Sequence, residues 1–277
     1  MEKFEIAKSP TFDIKQTLDC GQVFRYVEHP NFTDCGSKFT LFAGSHCAEI
    51  TDCGESYNVL TDESNFFWKY LDFDTKYDII QLNAQDKGLV SSAIEFGRGI
   101  HILRQDTAET VFSFLISQNN HIPRIKAIIE RMCAGLGEKM DGYFAFPTTD
   151  KLAGAGEKFF AEIGAGYRAS YLDRTAKALM DIDLEDWRAL DTDTLRANLM
   201  KLHGVGRKVA DCILLFGFRR FDVFPVDTWI AKIYEEEYPS VPPEKLSKML
   251  VEKYGDLSGF VQQWLFYYKR QKSIDKS

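Results

Sequence analysis

No stretch of the chain approaches the roughly 20 unbroken apolar residues that a membrane helix needs. The opening Met1-Glu2-Lys3-Phe4-Glu5 also lacks the apolar run of a secretion signal. Both absences lead to the expectation of an intracellular protein with no membrane partner. Cysteines at metal-ligand spacing are missing too. The six are Cys20, Cys35, Cys47, Cys53, Cys133 and Cys212, and no two form a C-x-x-C pair, which speaks against a zinc site or an iron–sulfur cluster. Four fall in the first 53 residues and invite a disulfide reading. In an intracellular chain, reduced and partly buried thiols are expected instead.

Positive charge is also scarce. The net charge is −7, which at first argues against a nucleic-acid partner. The charge is unevenly distributed, however. Residues 49–74 hold Glu49, Asp52, Glu55, Asp62, Glu63, Asp72 and Asp74 against one lysine. Residues 201–220 hold Lys201, Arg207, Lys208, Arg219 and Arg220 against only Asp211. A local basic face can still dock DNA, because the relevant field decays within about 10 Å in salt. Internal repeats and low-complexity tracts are absent as well, which leaves out solenoids and disordered tails.

What is present is core material. Of 277 residues, 45% are hydrophobic and 14% aromatic, enough for one large domain or two modest ones. Residues 1–60 look strand-rich: 39–43 and 48–51 are short β-type runs, broken by Gly36, Gly44 and Gly54. A helical region starts at Asn65 with Asp62 or Ser64 as its cap. From Thr107 onward nearly every segment carries helical spacing, including 107–116 and 122–136. Further helices are expected near 150–163, 168–181, 192–201, 207–217, 227–237, 243–254 and 256–270. The fold class is therefore α+β: an N-terminal antiparallel sheet with flanking helices over 1–105, then a helical body over 106–277.

The chemistry concentrates in Leu202-His203-Gly204-Val205-Gly206-Arg207-Lys208-Val209-Ala210-Asp211-Cys212. One helix should end near Leu202 and another begin near Arg207. Glycines between them permit positive φ and a tight turn. The amides at the second helix's start can then approach a phosphate. This spacing is that of a helix–hairpin–helix, which grips a DNA backbone; the bland alternative is a G-x-G turn between ordinary helices. Lys208 follows in an apolar stretch, where desolvation is expected to lower its pKa and free the amine as a nucleophile. Its alternative is a solvated surface lysine. Asp227, in Phe224-Pro225-Val226-Asp227-Thr228, is read as an N-cap that could also stabilise positive charge developing on a sugar.

The run from Gly204 to Cys212 followed by Pro225-Val226-Asp227 resembles the 8-oxoguanine DNA glycosylase/AP lyases, within the helix–hairpin–helix DNA glycosylase superfamily. The resemblance extends from about residue 15 to about residue 270 and implies a TBP-like N-terminal sheet. Lysine plus aspartate at this spacing marks bifunctional members, and only Cys212 lies beyond Cys133, so the iron–sulfur loop of other branches is absent. The resemblance implies base excision repair of 8-oxoguanine in double-stranded DNA. The base is flipped out, Lys208 attacks C1′, and the Schiff base undergoes β-elimination with Asp227 assisting. Asp19-Cys20-Gly21-Gln22-Val23-Phe24-Arg25 matches the family's G-Q-x-F-R motif. Gly21 is thereby assigned to the lesion's N7–H, with Gln262, Phe266, Cys212 and Pro225 around the rest of the base.

By the same resemblance, Asn119, Arg124 and Arg168 would read the orphaned cytosine and Tyr167 would wedge into the duplex. Gly204, Val205 and Gly206 would hold phosphate. Carbonyls of Met200, Leu202 and Val205 would hold an alkali-metal ion in the hairpin, and no other cofactor is implied. Two positions depart from the family pattern: Trp229 replaces a histidine, and His121 replaces the third asparagine of a loop. A monomer acting on DNA in the cytoplasm or nucleoid is the simplest expectation. Two rivals remain: a glycosylase for another lesion, such as an alkylated purine, and a non-catalytic DNA-binding module.

Overall fold

The computed structural model describes every residue except 35, 85–87, 236 and 275–277. Cys35 therefore lies outside the described residues, while Cys20, Cys47, Cys53, Cys133 and Cys212 are all free thiols.

Strand β1 (Glu2–Ala7) and helix α1 (Ile14–Asp19) precede a meander of β2 (Tyr26–Thr33), β3 (Gly36–Ala43), β4 (His46–Asp52) and β5 (Ser56–Thr61). All pairings are antiparallel, in the order β1-β5-β4-β3-β2. The period-2 pattern of β3 buries Phe39, Leu41 and Ala43 on one face. That face closes over α1 through Ile14 and Leu18 and over α2 (Ser64–Tyr70) through Phe67 and Tyr70. The cap of α2 is Glu63, which makes no side-chain cap bond. The expected caps are used otherwise: Asp62 bonds His46, and the Ser64 amide donates to Glu2.

Helices α3 (Tyr77–Ala84) and α4 (Leu89–Phe96) follow, then α5 (Thr107–Ser117), α6 (Ile122–Leu136), α7 (Thr149–Glu162), α8 (Ala169–Ala178) and α9 (Thr192–Leu199). The chain continues through α10 (Arg207–Phe216), α11 (Thr228–Tyr234), α12 (Pro243–Tyr254) and α13 (Ser258–Ile274). These helices, α3 and α4 included, share a second apolar core that contains Trp264 at 1% exposure.

Two buried polar links join the sheet to the helices. Gln22 donates to the carbonyls of Thr17 and His101 and accepts from the Leu103 amide. Arg25 reaches the Gly44 and Phe144 carbonyls and Glu109, with the two charged side chains only 7% and 9% exposed. Desolvation pushes the Glu109 carboxyl above its ordinary range against the pull of Arg25. Gln22 and Arg25 of the G-Q-x-F-R run are thus structural; they hold Gly21 in place. Among the described residues, no helix is long and apolar enough to cross a membrane.

Candidate active site

The turn before α10 is built as the glycines suggest. Gly204 has φ +85°, and a Cβ there would lie 2.4 Å from ring carbons of Tyr171, so only glycine fits. Gly206 caps α10 with extended backbone and open space around it. The Val205 amide donates to the Leu202 carbonyl, and Thr175 holds the His203 carbonyl. Val205's own N–H is therefore engaged internally. Amides free to meet a phosphate would be those of Gly206 and the first turn of α10, where backbone donors lack intrahelical partners.

The basic face expected over 201–220 is largely neutralised. Arg207 and Arg196 both grip the buried Asp211. Arg219 pairs with the buried Asp72, and Arg220 donates to the Arg188 and Leu190 carbonyls. These guanidiniums hold helix ends and loops together, so Lys201 is the exposed charge of the group. Counting charges along the chain could not distinguish such internal pairs from a docking surface.

Lys208 is the second residue of α10. Cys212 lies one turn on, its sulfur close enough to act on the amine, and the Phe114 ring centroid is 5.9 Å from Nζ. Here the expectation of a lowered pKa fails. The Cys212 sulfur and the Asp227 carboxylate together hold the Lys208 ammonium above the ordinary lysine value, outweighing desolvation. Burial pushes the Cys212 thiol up to about 11. The resting amine is thus an ammonium among apolar walls, and it must lose a proton before it can attack.

Asp227 caps α11 as expected: one carboxylate oxygen accepts from the amides of Trp229 at 3.0 Å and Ile230 at 2.9 Å. Those two bonds fix the carboxylate's orientation while its charge still reaches Lys208. Pro225 is buried just before it. Trp229 lies under Lys232, whose Nζ is 5.4 Å from its ring centroid.

The residues expected to read the base converge although they come from opposite ends of the chain. Gly21 has φ +85°, and a Cβ there would meet Phe266 Cε1 at 3.0 Å and Arg270 Nη1 at 3.3 Å. Gln262, one turn before Phe266, is 5% exposed and its Oε1 has no hydrogen-bond partner among the described residues. Neighbouring Gln263 donates to the Cys20 carbonyl at 2.7 Å, tying α13 to the Gly21 turn. Arg270 was missed at the level of sequence; its spacing of i+4 from Phe266 was the available signal.

The second group also assembles, from the loop after α5 and the loop before α8. Asn119, at φ +45°, donates to the Tyr167 hydroxyl at 3.4 Å. Arg124 donates to the Gly164 carbonyl, and Tyr167 stands 53% exposed. Arg168 differs from its neighbours. It is 2% exposed, and its guanidinium donates to the carbonyls of Gln118, Asn119 and Ala165. In this conformation it braces the two loops, and reaching a base would require these bonds to open. His121 caps α6 without a side-chain cap bond.

Backbone carbonyls suit a hard cation. The Leu202 carbonyl already accepts one bond from Val205 and retains its second lone pair. Among the described residues, no group of three or more His, Cys, Asp or Glu side chains could hold a metal ion.

Two family models match end to end: the N-terminal domain of 8-oxoguanine DNA glycosylase over residues 4–111, and the HhH-GPD superfamily of base excision DNA repair proteins over 112–254. A probable N-glycosylase/DNA lyase of Methanothermobacter thermautotrophicus is 31% identical over 231 residues, covering 73% of this chain and 74% of the relative. An N-glycosylase/DNA lyase of Saccharomyces cerevisiae is 31% identical over 226 residues, 75% of this chain and 59% of the yeast protein. A crystal structure of the Clostridium acetobutylicum 8-oxoguanine glycosylase/lyase, bound to double-stranded DNA with cytosine opposite 8-oxoguanine, superposes with a TM-score of 0.88. It is 37% identical over 95% of this chain and 93% of that one.

Proposed function

This chain belongs to the HhH-GPD superfamily of base excision DNA repair proteins, and from that premise we propose that it is a bifunctional glycosylase/AP lyase excising 8-oxoguanine opposite cytosine. The observation that carries the reading is the setting of Lys208: apolar walls, the neighbouring Cys212 sulfur, and the charge of a helix-capping Asp227. The ammonium first gives up one proton, which ends on the departing base. Nζ then bonds to C1′ of the flipped nucleotide as the bond from C1′ to the base breaks, and the base leaves with the electron pair. Asp227 stabilises the oxocarbenium-like transition state. Ring opening gives the Schiff base; loss of a C2′ proton then expels the 3′ phosphate.

Recognition follows from the acceptor and donor pattern of the base. 8-Oxoguanine carries an N7–H where guanine has a lone pair, and the Gly21 carbonyl rewards the first and repels the second. Each such contact discriminates by about 1–3 kcal/mol. The orphaned Oε1 of Gln262 suits a donor on the Watson–Crick edge, and Phe266 opposite Cys212 would stack on the base. Asn119, Arg124 and Arg168 would read cytosine once Arg168 leaves the loop carbonyls, with Tyr167 as wedge. Carbonyls of Met200, Leu202 and Val205 would hold an alkali ion, adding positive charge beside the phosphate contact. The work is done inside the cell, on chromosomal DNA, by a monomer.

Excision from duplexes carrying single defined lesions tests this reading. Release of 8-oxoguanine opposite cytosine ahead of all other pairs is the expected result. Preferential release of an alkylated purine, or DNA binding without any release, would replace it. Substituting Arg124 and Arg168 should flatten the differences among opposite bases.

A further inference from the structure

We propose that Arg270 is a specificity-determining residue that donates a hydrogen bond to the C8 carbonyl oxygen of the flipped lesion. This rests on the reading of the site as an 8-oxoguanine pocket. The guanidinium is anchored through Nη2 to the Asp19 carbonyl, and its carbon lies 5.7 Å from the Phe266 ring centroid. Nε and Nη1 are buried with no acceptor among the described residues. Burial raises the Cys20 thiol to about 11 and raises the Tyr267 and Tyr26 phenols as well, so these three neighbours are neutral, while the Asp19 carboxylate is taken up by the Tyr26 hydroxyl and Lys15. Unpaired buried guanidinium donors are costly. Beside a ligand pocket, such donors call for a carbonyl or an anion that arrives with the ligand.

Position selects which carbonyl. Gln262, Phe266 and Arg270 fall at i, i+4 and i+8 on one stripe of α13. At roughly 1.5 Å per residue the stripe extends about 12 Å, with side chains leaning toward the helix N-terminus. A purine stacked on Phe266 with its Watson–Crick edge at Gln262 therefore turns its imidazole edge toward Arg270. Gly21 sits at that same end, its Cβ position 3.3 Å from Nη1. On that edge the lesion presents N7–H to the Gly21 carbonyl and, next to it, O8. Guanine presents C8–H instead of O8 and leaves the guanidinium unsatisfied. Two adjacent contacts, one accepting and one donating, would then read the two atoms that oxidation changes.

The test uses single-turnover excision by the full chain on duplexes carrying 8-oxoguanine or 8-thioxoguanine, which keeps N7–H but replaces O8 by a weak acceptor. Borohydride trapping on abasic-site DNA, which has no base to read, runs in parallel. Arg270→Met is expected to slow 8-oxoguanine excision roughly 10- to 100-fold. On 8-thioxoguanine it should differ from wild type less than about threefold, with abasic-site trapping unchanged and Arg270→Lys partly restoring the rate. Equal losses on both bases, or a wild-type rate on 8-oxoguanine, overturn the assignment. If Arg270→Met loses abasic-site trapping, Arg270→Lys carries the comparison, and the same loss on both bases again overturns it. Wild-type protein that traps abasic DNA yet releases no 8-oxoguanine overturns the underlying reading of the pocket.

Discussion

Replacing Gly204 by alanine separates the hairpin's steric demand from its contact with DNA. At φ +85° an added Cβ would sit 2.4 Å from two Tyr171 ring carbons. The left-handed backbone costs an L residue about 1–2 kcal/mol, and forced overlap in packed surroundings about 1–3 more. The sum of about 2–5 kcal/mol corresponds to a fall in Tm of roughly 4–20 °C for a chain of this size. Gly206 offers the control, because its φ is −86° and nothing lies within 4 Å of its Cβ position. Gly206→Ala should melt within about 3 °C of wild type yet bind duplex more weakly, since the methyl group would face the phosphate. Adding Tyr171→Ala to Gly204→Ala removes the overlap but not the strained φ, so part of the loss should return. Melting by circular dichroism and fluorescence anisotropy with undamaged duplex measure both properties. A Gly204→Ala protein with wild-type Tm, or a Gly206→Ala protein as unstable as it, would refute this account of the turn.

Arg168→Ala should destabilise the free protein by about 1–3 kcal/mol, because three loop carbonyls lose their donor. An unchanged urea midpoint would show that the brace contributes nothing. Lys126 is pushed down to about 8 by burial. Below that pH it is charged in both states and its burial opposes folding. Between about 8 and the ordinary value of 10.5 only the unfolded chain holds the proton, so stability rises with pH. Lys126→Met should accordingly raise Tm at pH 7, with the gain shrinking toward pH 10.5; a gain independent of pH contradicts the shift. At pH 8, iodoacetamide should modify exposed Cys53 well before Cys212 or Cys20, whose thiols are raised to about 11. Mass spectrometry finding Cys212 labelled first would contradict its protonated, buried state.

The helical body was legible in the sequence because it rests on local spacing, whereas the lysine–aspartate pair was picked out through the family resemblance. Apolar residues at helical period marked α5, α6 and α10, and the glycine pair marked the turn between α9 and α10. Strands β1, β2 and β5 were not marked. β1 offers only Phe4 and Ile6 as alternating apolar residues, and β2 contains Pro30, so their pairing is set by neighbours far along the chain. Charge was the least legible property. Arg207, Arg219 and Arg168 read as surface cations in one dimension, but each is held by a carboxylate or by carbonyls in three. The direction of the Lys208 shift failed for a related reason. Desolvation could be inferred from apolar neighbours in sequence, but the opposing pull of Cys212 and Asp227 depends on their folded positions. Arg270 lay on a readable stripe of α13, yet nothing singled it out until Gly21 was seen folded against it.

Borohydride trapping on an 8-oxoguanine–cytosine duplex tests the central claim most directly. Wild-type protein should give a covalent protein–DNA adduct whose mapped attachment is Lys208, and Lys208→Gln should give none while still binding the duplex. An adduct formed by Lys208→Gln, or no adduct with wild type, would contradict the assignment of Lys208 as the attacking amine.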